Sequence, residues 1–124
     1  PSKGEGFGLP LIEAQGCGIP VVTTNSTTGP ELCKTGWLID VDGDDRQWIG
    51  TETWRLEPRP SNIDAALERA HEAWRSDAWA TLRADAPGKV AEYSWDAVWE
   101  RYWLPVLAQV EARLKDRAVG GPKL

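Results

Sequence analysis

Methionine is absent from the 124 residues, histidine and phenylalanine occur once each, and cysteine occurs twice. The lone histidine, His71, is flanked by Arg69 and Glu72. It has no partner set for a metal site or a catalytic triad and reads as a surface residue. Cys17 and Cys33 make neither a disulfide framework nor a zinc site, so a reducing, cytoplasmic setting is the default. Cys17 is expected to pack as a small buried residue at a helix end. No run of about 18 apolar residues exists, so no transmembrane segment is expected. The opening PSKGEGFG lacks the basic and then apolar regions of a signal peptide. Without Met at position 1, the chain is expected to be a processed product or a fragment. Positive charge is also scarce: 14 Lys and Arg face 19 Asp and Glu, a net charge of -5. That balance excludes the basic footprint that nucleic acid requires.

What remains is an ordinary globular composition, 41% hydrophobic and 27% charged, enough for one domain with a modest core. Tryptophan is the exception, with eight against two Tyr. Trp54, Trp74, Trp79, Trp95, Trp99 and Trp103 lie away from the glycine-rich start. Packing in the core and between elements is the expectation for them; carbohydrate stacking is the alternative.

Residues 1–60 and 61–117 differ in character, and 118–124 read as a frayed tail. In the first part, Leu9–Cys17 predicts a short helix, with Pro10 in its first turn and Gly18 as left-handed cap. Ala14 and Gly16 would let it approach a sheet closely. Ile19–Thr24 and Gly36–Val41 are β-branched or apolar runs of buried-strand type. Thr53–Glu57 predicts a third, edge-like strand ended by Pro58 and Pro60. In the second part, Ser61 or Asn62 is expected to cap a helix with Ile63, Ala66, Leu67, Ala70 and Trp74 at helical spacing. Asp77 opens another that Pro87 and Gly88 disturb. Ser94 or Asp96 starts a long helix to about Arg117, which Pro105 should kink. Its apolar stripe is wide and calls for contact beyond this chain. The fold class is therefore α/β, with two or three short parallel strands, several helices and a long kinked C-terminal helix.

Chemistry concentrates between Pro1 and Glu13. Glu5 precedes a Gly6-Phe7-Gly8 turn, a helix starts after it, and Glu13 follows one turn in. Gly6 and Gly8 let backbone approach a ligand. The helix start at Leu9 offers free amides and the positive dipole end, suited to a phosphate. Helical side chains lean toward the N-terminus, so Glu13 can reach back toward the mouth where Glu5 sits. Two carboxylates beside a phosphate cradle suit vicinal sugar hydroxyls, which an ionised carboxylate can accept from. A nucleotide-diphosphate sugar offers both parts.

The stretch EGFGLPLIEAQGCGIPVV, with Glu5 and Glu13 eight positions apart, resembles the C-terminal signature of retaining glycosyltransferases of the GT-B fold, family 4. The resemblance is close from Pro1 to about Val41. It is looser through Glu31, Trp54–Pro58 and Tyr93-Ser94-Trp95-Asp96. It implies that Glu5 binds donor-sugar hydroxyls as the catalytic carboxylate and that Glu13 binds the nucleotide ribose. The amides of Phe7, Gly8 and Leu9 would lie over the diphosphate and sugar. It further implies a partial Rossmann-like C-terminal domain, no metal and no cofactor, with the amides and basic residues stabilising the leaving group. The family's last helix crosses onto an N-terminal acceptor domain. That domain, and the Arg and Lys of the phosphate clamp, are missing here, so the isolated chain is expected to be inactive. A non-catalytic nucleotide-sugar-binding or interaction module is the alternative.

Weaker motifs lead elsewhere only nominally. In Gly4-x-Gly6-x-Gly8 the third glycine of a dinucleotide fingerprint would fall on Leu9, Pro10 or Leu11. Asp40–Asp45 hints at a calcium loop, but Asp45 replaces its glycine and Thr51 its closing glutamate, which leaves a solvated acidic turn. The hydroxyl-rich loop Thr23–Thr28 leaves a strand at its carboxyl edge, and lining a donor site or serving as a plain polar loop are both open. Glu31, after Pro30, is expected to favour the positive end of a helix.

Overall fold

The computed structural model describes residues 6–43, 46–48 and 54–119. The chain divides into two compact units, Pro1–Val90 and Ala91–Leu124.

The first unit begins with α1 (Leu9–Gly16) and β1 (Val21–Thr24), followed by the single-turn α2 (Gly29–Leu32) and β2 (Gly36–Ile39). Strands β1 and β2 pair in parallel, Val21 opposite Gly36 and Thr24 opposite Ile39. Parallel neighbours need a crossover of about a dozen residues, and residues 25–35 supply it with α2 inside. Gly36 opens β2 at φ 146° against the Val21 backbone, where a Cβ would overlap the Val21 carbonyl oxygen. Only glycine fits at that point of the pair. The Asn25 N–H donates to the Ile39 carbonyl at 2.8 Å, closing the carboxyl edge of the sheet.

A second sheet joins β3 (Arg46–Trp48) and β4 (Trp54–Leu56) in antiparallel register, Trp48 opposite Trp54. The strand expected within Thr53–Glu57 is therefore present but does not extend the parallel sheet. Only the five positions 49–53 separate it from β3, too few for a crossover, so the pair closes as a hairpin. Its exposed face is tied by Arg55 Nε donating to Gln47 Oε1 at 2.8 Å.

Helices α3 (Pro60–Trp74) and α4 (Ala78–Lys89) complete this unit. Pro60 takes the first helical turn behind Arg59, and no side chain caps the helix. The cap expected of Ser61 or Asn62 is absent because proline already fits that turn without an amide to satisfy. Asn62 instead donates from Nδ2 to the Asp40 carbonyl at 2.9 Å, and Arg69 Nη2 donates to the Leu38 carbonyl at 2.9 Å. Both side chains fasten α3 over β2. Val21, Leu32, Ile39, Ala66, Ala86 and Val90 form the buried core, with each fully buried large aliphatic side chain worth about 1.5–3 kcal/mol. Of the predicted α3 stripe, Ala66 is buried and Ile63 and Ala70 are half-buried, whereas Leu67 and Trp74 are exposed. Gly16 is exposed, with open space where a Cβ would stand, so it plays no part in close helix–sheet approach.

The second unit is a helix assembled from a 3₁₀ turn (Ala91–Tyr93), α5 (Trp95–Val98), a π turn (Trp99–Trp103) and α6 (Leu104–Val119). Ser94 caps it, its Oγ accepting from the Ala97 N–H at 3.2 Å, as expected. Pro105 has no N–H, and its ring would meet the Arg101 carbonyl in a regular helix. The π turn directly upstream resolves the conflict: the Leu104 N–H donates to the Trp99 carbonyl, five residues back. Trp95, Trp99, Tyr102, Trp103, Leu107 and Leu114 are exposed. Within this unit the expected core burial of these tryptophans is not met, because a single helix has no second layer of its own to pack on. Trp95 and Trp99 stack on one another instead, centroids 6.2 Å apart.

Candidate functional site

Helix α1 runs back along the parallel pair, so its start lies at the carboxyl end of β1. The contact is direct: the site of a Cβ on Gly8 lies 3.6 Å from Thr28 Oγ1, in the loop that leaves β1, and 3.3 Å from Leu32 Cδ1. Ligands of open α/β sheets bind at this edge. Gly8 is the N-cap residue of α1, with φ 98° and ψ 43°. The left-handed backbone turns the chain sharply into the helix, a conformation open to glycine and costly for other residues. The Leu11 N–H is satisfied by the Gly8 carbonyl at 3.0 Å.

Helix α1 has Pro10 in its first turn, no side-chain cap and no acidic residue in that turn. Among the described residues no side chain caps its positive end, which is a favourable position for an anion. Gly6 is exposed with open space around its Cα, Phe7 and Leu9 are exposed, and Gly8 is buried. Glu13 is exposed one turn into the helix. Of the residues singled out from sequence, Gly6, Phe7, Gly8, Leu9 and Glu13 fall in one short span at the sheet edge. Glu5 lies outside the described residues.

The loop Thr23–Thr28 contributes Thr23 and Thr24 to the buried strand end. Thr27 adopts φ 49°, unusual for a β-branched residue. Thr28 Oγ1 is buried beside Gly8 without a hydrogen-bond partner. Glu31 stands exposed in the first turn of α2, the dipole position expected of it.

Two residues stand apart from expectation. Cys17 is exposed, not buried, because α1 ends there and the thiol faces an open groove of about 640 Å³ shared with Gly18, Trp79, Arg83 and Pro87. That groove lies at the C-terminal end of α1, opposite Gly8. Arg83 Nε donates across it to the Gly18 carbonyl at 3.2 Å, and Gly18 takes the left-handed cap conformation, φ 73°. Cys33 is half-buried, and desolvation pushes its thiol pKa up. Gln15 was invisible as anything but a polar helix position, yet it is completely buried. His71 is exposed and stacks on Trp74 at 5.6 Å. Among the described residues, no helix is long and apolar enough to cross a membrane.

The arrangement is a pair of parallel strands whose carboxyl edge meets the uncapped start of α1. Residues 1–50 match the family model described as glycosyl transferases group 1. The chain is 32% identical over 99 residues to the O-antigen chain mannosyltransferase B of Escherichia coli, covering 77% of this chain and 21% of that protein. It is 38% identical over 78 residues to a GDP-mannose-dependent alpha-(1-6)-phosphatidylinositol monomannoside mannosyltransferase of Mycolicibacterium smegmatis, covering 60% of this chain and 20% of that protein. The chain thus spans about a fifth of the length of these relatives. No solved structure matches it significantly. These similarities relate the chain to glycosyltransferases.

Proposed function

We propose that the chain is the donor-binding part of a retaining GT-B glycosyltransferase of family 4, taking a nucleotide-diphosphate sugar. The observation that carries this is the uncapped start of α1 at the carboxyl edge of β1, with Glu13 one turn inside. It falls within the residues that match the glycosyl transferase model. Both relatives are named as mannosyltransferases and one as GDP-mannose-dependent, so GDP-mannose is the donor of choice.

In this proposal the amides at Gly8 and Leu9 and the helix dipole hold the diphosphate. Glu13 accepts hydrogen bonds from ribose hydroxyls, and Glu5 accepts them from the sugar being transferred. The leaving diphosphate gains charge as the glycosidic bond breaks, and amides fixed before the reaction stabilise that charge without reorganising. Sugar departure and acceptor attack take place on one face, which retains the anomeric configuration. No metal or cofactor takes part. Acceptor binding and the basic phosphate clamp belong to an N-terminal domain outside this chain, so the isolated chain does not turn over. Both cysteines are free thiols, compatible with the cytoplasmic setting assigned here.

The test is mannosyl transfer from GDP-mannose, measured with this chain and with a longer protein that joins it to an N-terminal Rossmann-like half. Transfer by the longer protein alone is the expected result. Turnover by the 124-residue chain, or none by the longer protein with any nucleotide sugar, overturns the assignment.

A further inference from the structure

Helix α1 carries the amides and Glu13 of the proposed site, yet its only buried residue is a polar one, Gln15. Gln15 is 0% exposed, and its amide is fully committed. Nε2 donates to the Leu11 carbonyl at 2.6 Å and to the Leu32 carbonyl at 2.9 Å. Oε1 accepts from the Lys34 N–H at 2.9 Å and the Thr35 N–H at 2.8 Å. Two donors and two lone pairs are therefore all satisfied. The partners lie on three segments: α1 itself, the end of α2, and the turn that enters β2.

The other inward residues of α1, Leu11, Ile12 and Ala14, are half-buried. Apolar contact of that kind is non-directional and permits a helix to rotate or slide. Four directional hydrogen bonds at one residue do not. Gln15 lies two residues after Glu13, which is about 200° around the helix. Fixing Gln15 inward therefore fixes Glu13 outward, and fixes the axis that aims Gly8 and Leu9. A rotation of roughly 20° at a side-chain radius of about 6 Å would move the Glu13 carboxylate by about 2 Å. Displacements of about 1 Å suffice to cost a site of this kind up to ~10²-fold.

From this geometry we infer that Gln15 is a positioning residue for the nucleotide site, acting through α1 without touching the ligand. The inference rests on the donor-site assignment above. Gln15→Leu removes all four hydrogen bonds. Gln15→Glu keeps the acceptor for the Lys34 and Thr35 amides but sets a carboxylate against the Leu11 and Leu32 carbonyls. A structural role alone would lower thermal stability and leave the folded protein's affinity intact, so a stability control is needed. Val90→Ala, in the core at 4% exposure, lies outside the proposed site and serves for this.

The experiment titrates the 124-residue chain and its variants with GDP, followed by amide NMR shifts well below each melting temperature. Wild type should show shifts at Gly8, Leu9 and Glu13. Gln15→Leu and Gln15→Glu, verified as folded, should bind GDP at least about tenfold more weakly, with Val90→Ala unchanged. Should Gln15→Leu fail to fold, Gln15→Glu carries the comparison. Wild-type affinity in the folded Gln15 variants overturns the positioning role and leaves the donor site standing. Absence of GDP-induced shifts at Gly8–Glu13 in wild type overturns the donor site and this inference with it.

Discussion

Gly8 and Gly6 are separated by one residue, and alanine at each should have opposite consequences. Gly8 holds φ 98°, where an L-side chain costs about 1–2 kcal/mol. An added Cβ would also sit 3.3 Å from Leu32 Cδ1 and 3.4 Å from Leu11 Cδ1. Both neighbours are flexible side-chain ends that yield by a few tenths of an ångström, so crowding adds less than the backbone does. The expected loss for Gly8→Ala is therefore about 1–2 kcal/mol, a drop of roughly 4–15 °C in melting temperature for a unit of this size. Among the described residues none places an atom within 4 Å of the Gly6 Cβ position. Gly6→Ala should be neutral or stabilising by up to about 1 kcal/mol, through a less flexible unfolded chain. Yet it should weaken nucleotide binding, because the added methyl stands in the open approach to the helix start. Urea denaturation monitored by tryptophan fluorescence gives the first quantity and calorimetry with GDP the second. Equal stability of the two variants would refute the left-handed cap at Gly8.

The carboxylates should separate in kinetics of the longer protein. Glu5→Gln should lower kcat by roughly 10²-fold, the scale of one charged hydrogen bond at about 2–3 kcal/mol. Glu13→Gln should mainly raise the donor KM and weaken GDP binding, since ribose contacts are the same in ground and transition states. The reverse pattern would exchange the two roles. A thiol reagent at neutral pH should modify exposed Cys17 well before Cys33, whose burial-raised pKa leaves less thiolate at any given pH. Raising the pH should narrow that gap, and mass spectrometry of the labelled peptides reads it. Ser94→Ala should cost about 1 kcal/mol locally, seen as faster amide exchange at Ala97 and Val98.

Much of the first unit was legible from local chemistry. Pro10 and Gly18 bracket α1, the β-branched run ending at Thr24 is β1, and the Gly36-led apolar run is β2. These are residues whose backbone preference and burial agree. The pairing of Trp54–Leu56 was not legible, because the partner strand Arg46–Trp48 is too short and polar to stand out against loop. Gln15 escaped for a different reason: a glutamine in an amphipathic helix reads as solvent-facing, and only the three-dimensional arrangement of the Leu32, Lys34 and Thr35 backbone explains its burial. The exposed tryptophans mislead in the same way, since composition reports apolar area but not the surface that would cover it. In the candidate site, the glycine turn, helix start and Glu13 were readable from spacing. The neighbouring Thr28 hydroxyl, buried and unpartnered, was visible only as part of a polar loop.

Where GDP-mannose binds on this chain tests the central claim most directly. Amide NMR of the labelled chain, titrated with GDP-mannose, should shift Gly6, Phe7, Gly8, Leu9 and Glu13 together with the Thr27–Thr28 loop, and leave the groove of Cys17, Trp79 and Arg83 undisturbed. Shifts confined to that groove, or none at the start of α1 at saturating GDP-mannose, would contradict it.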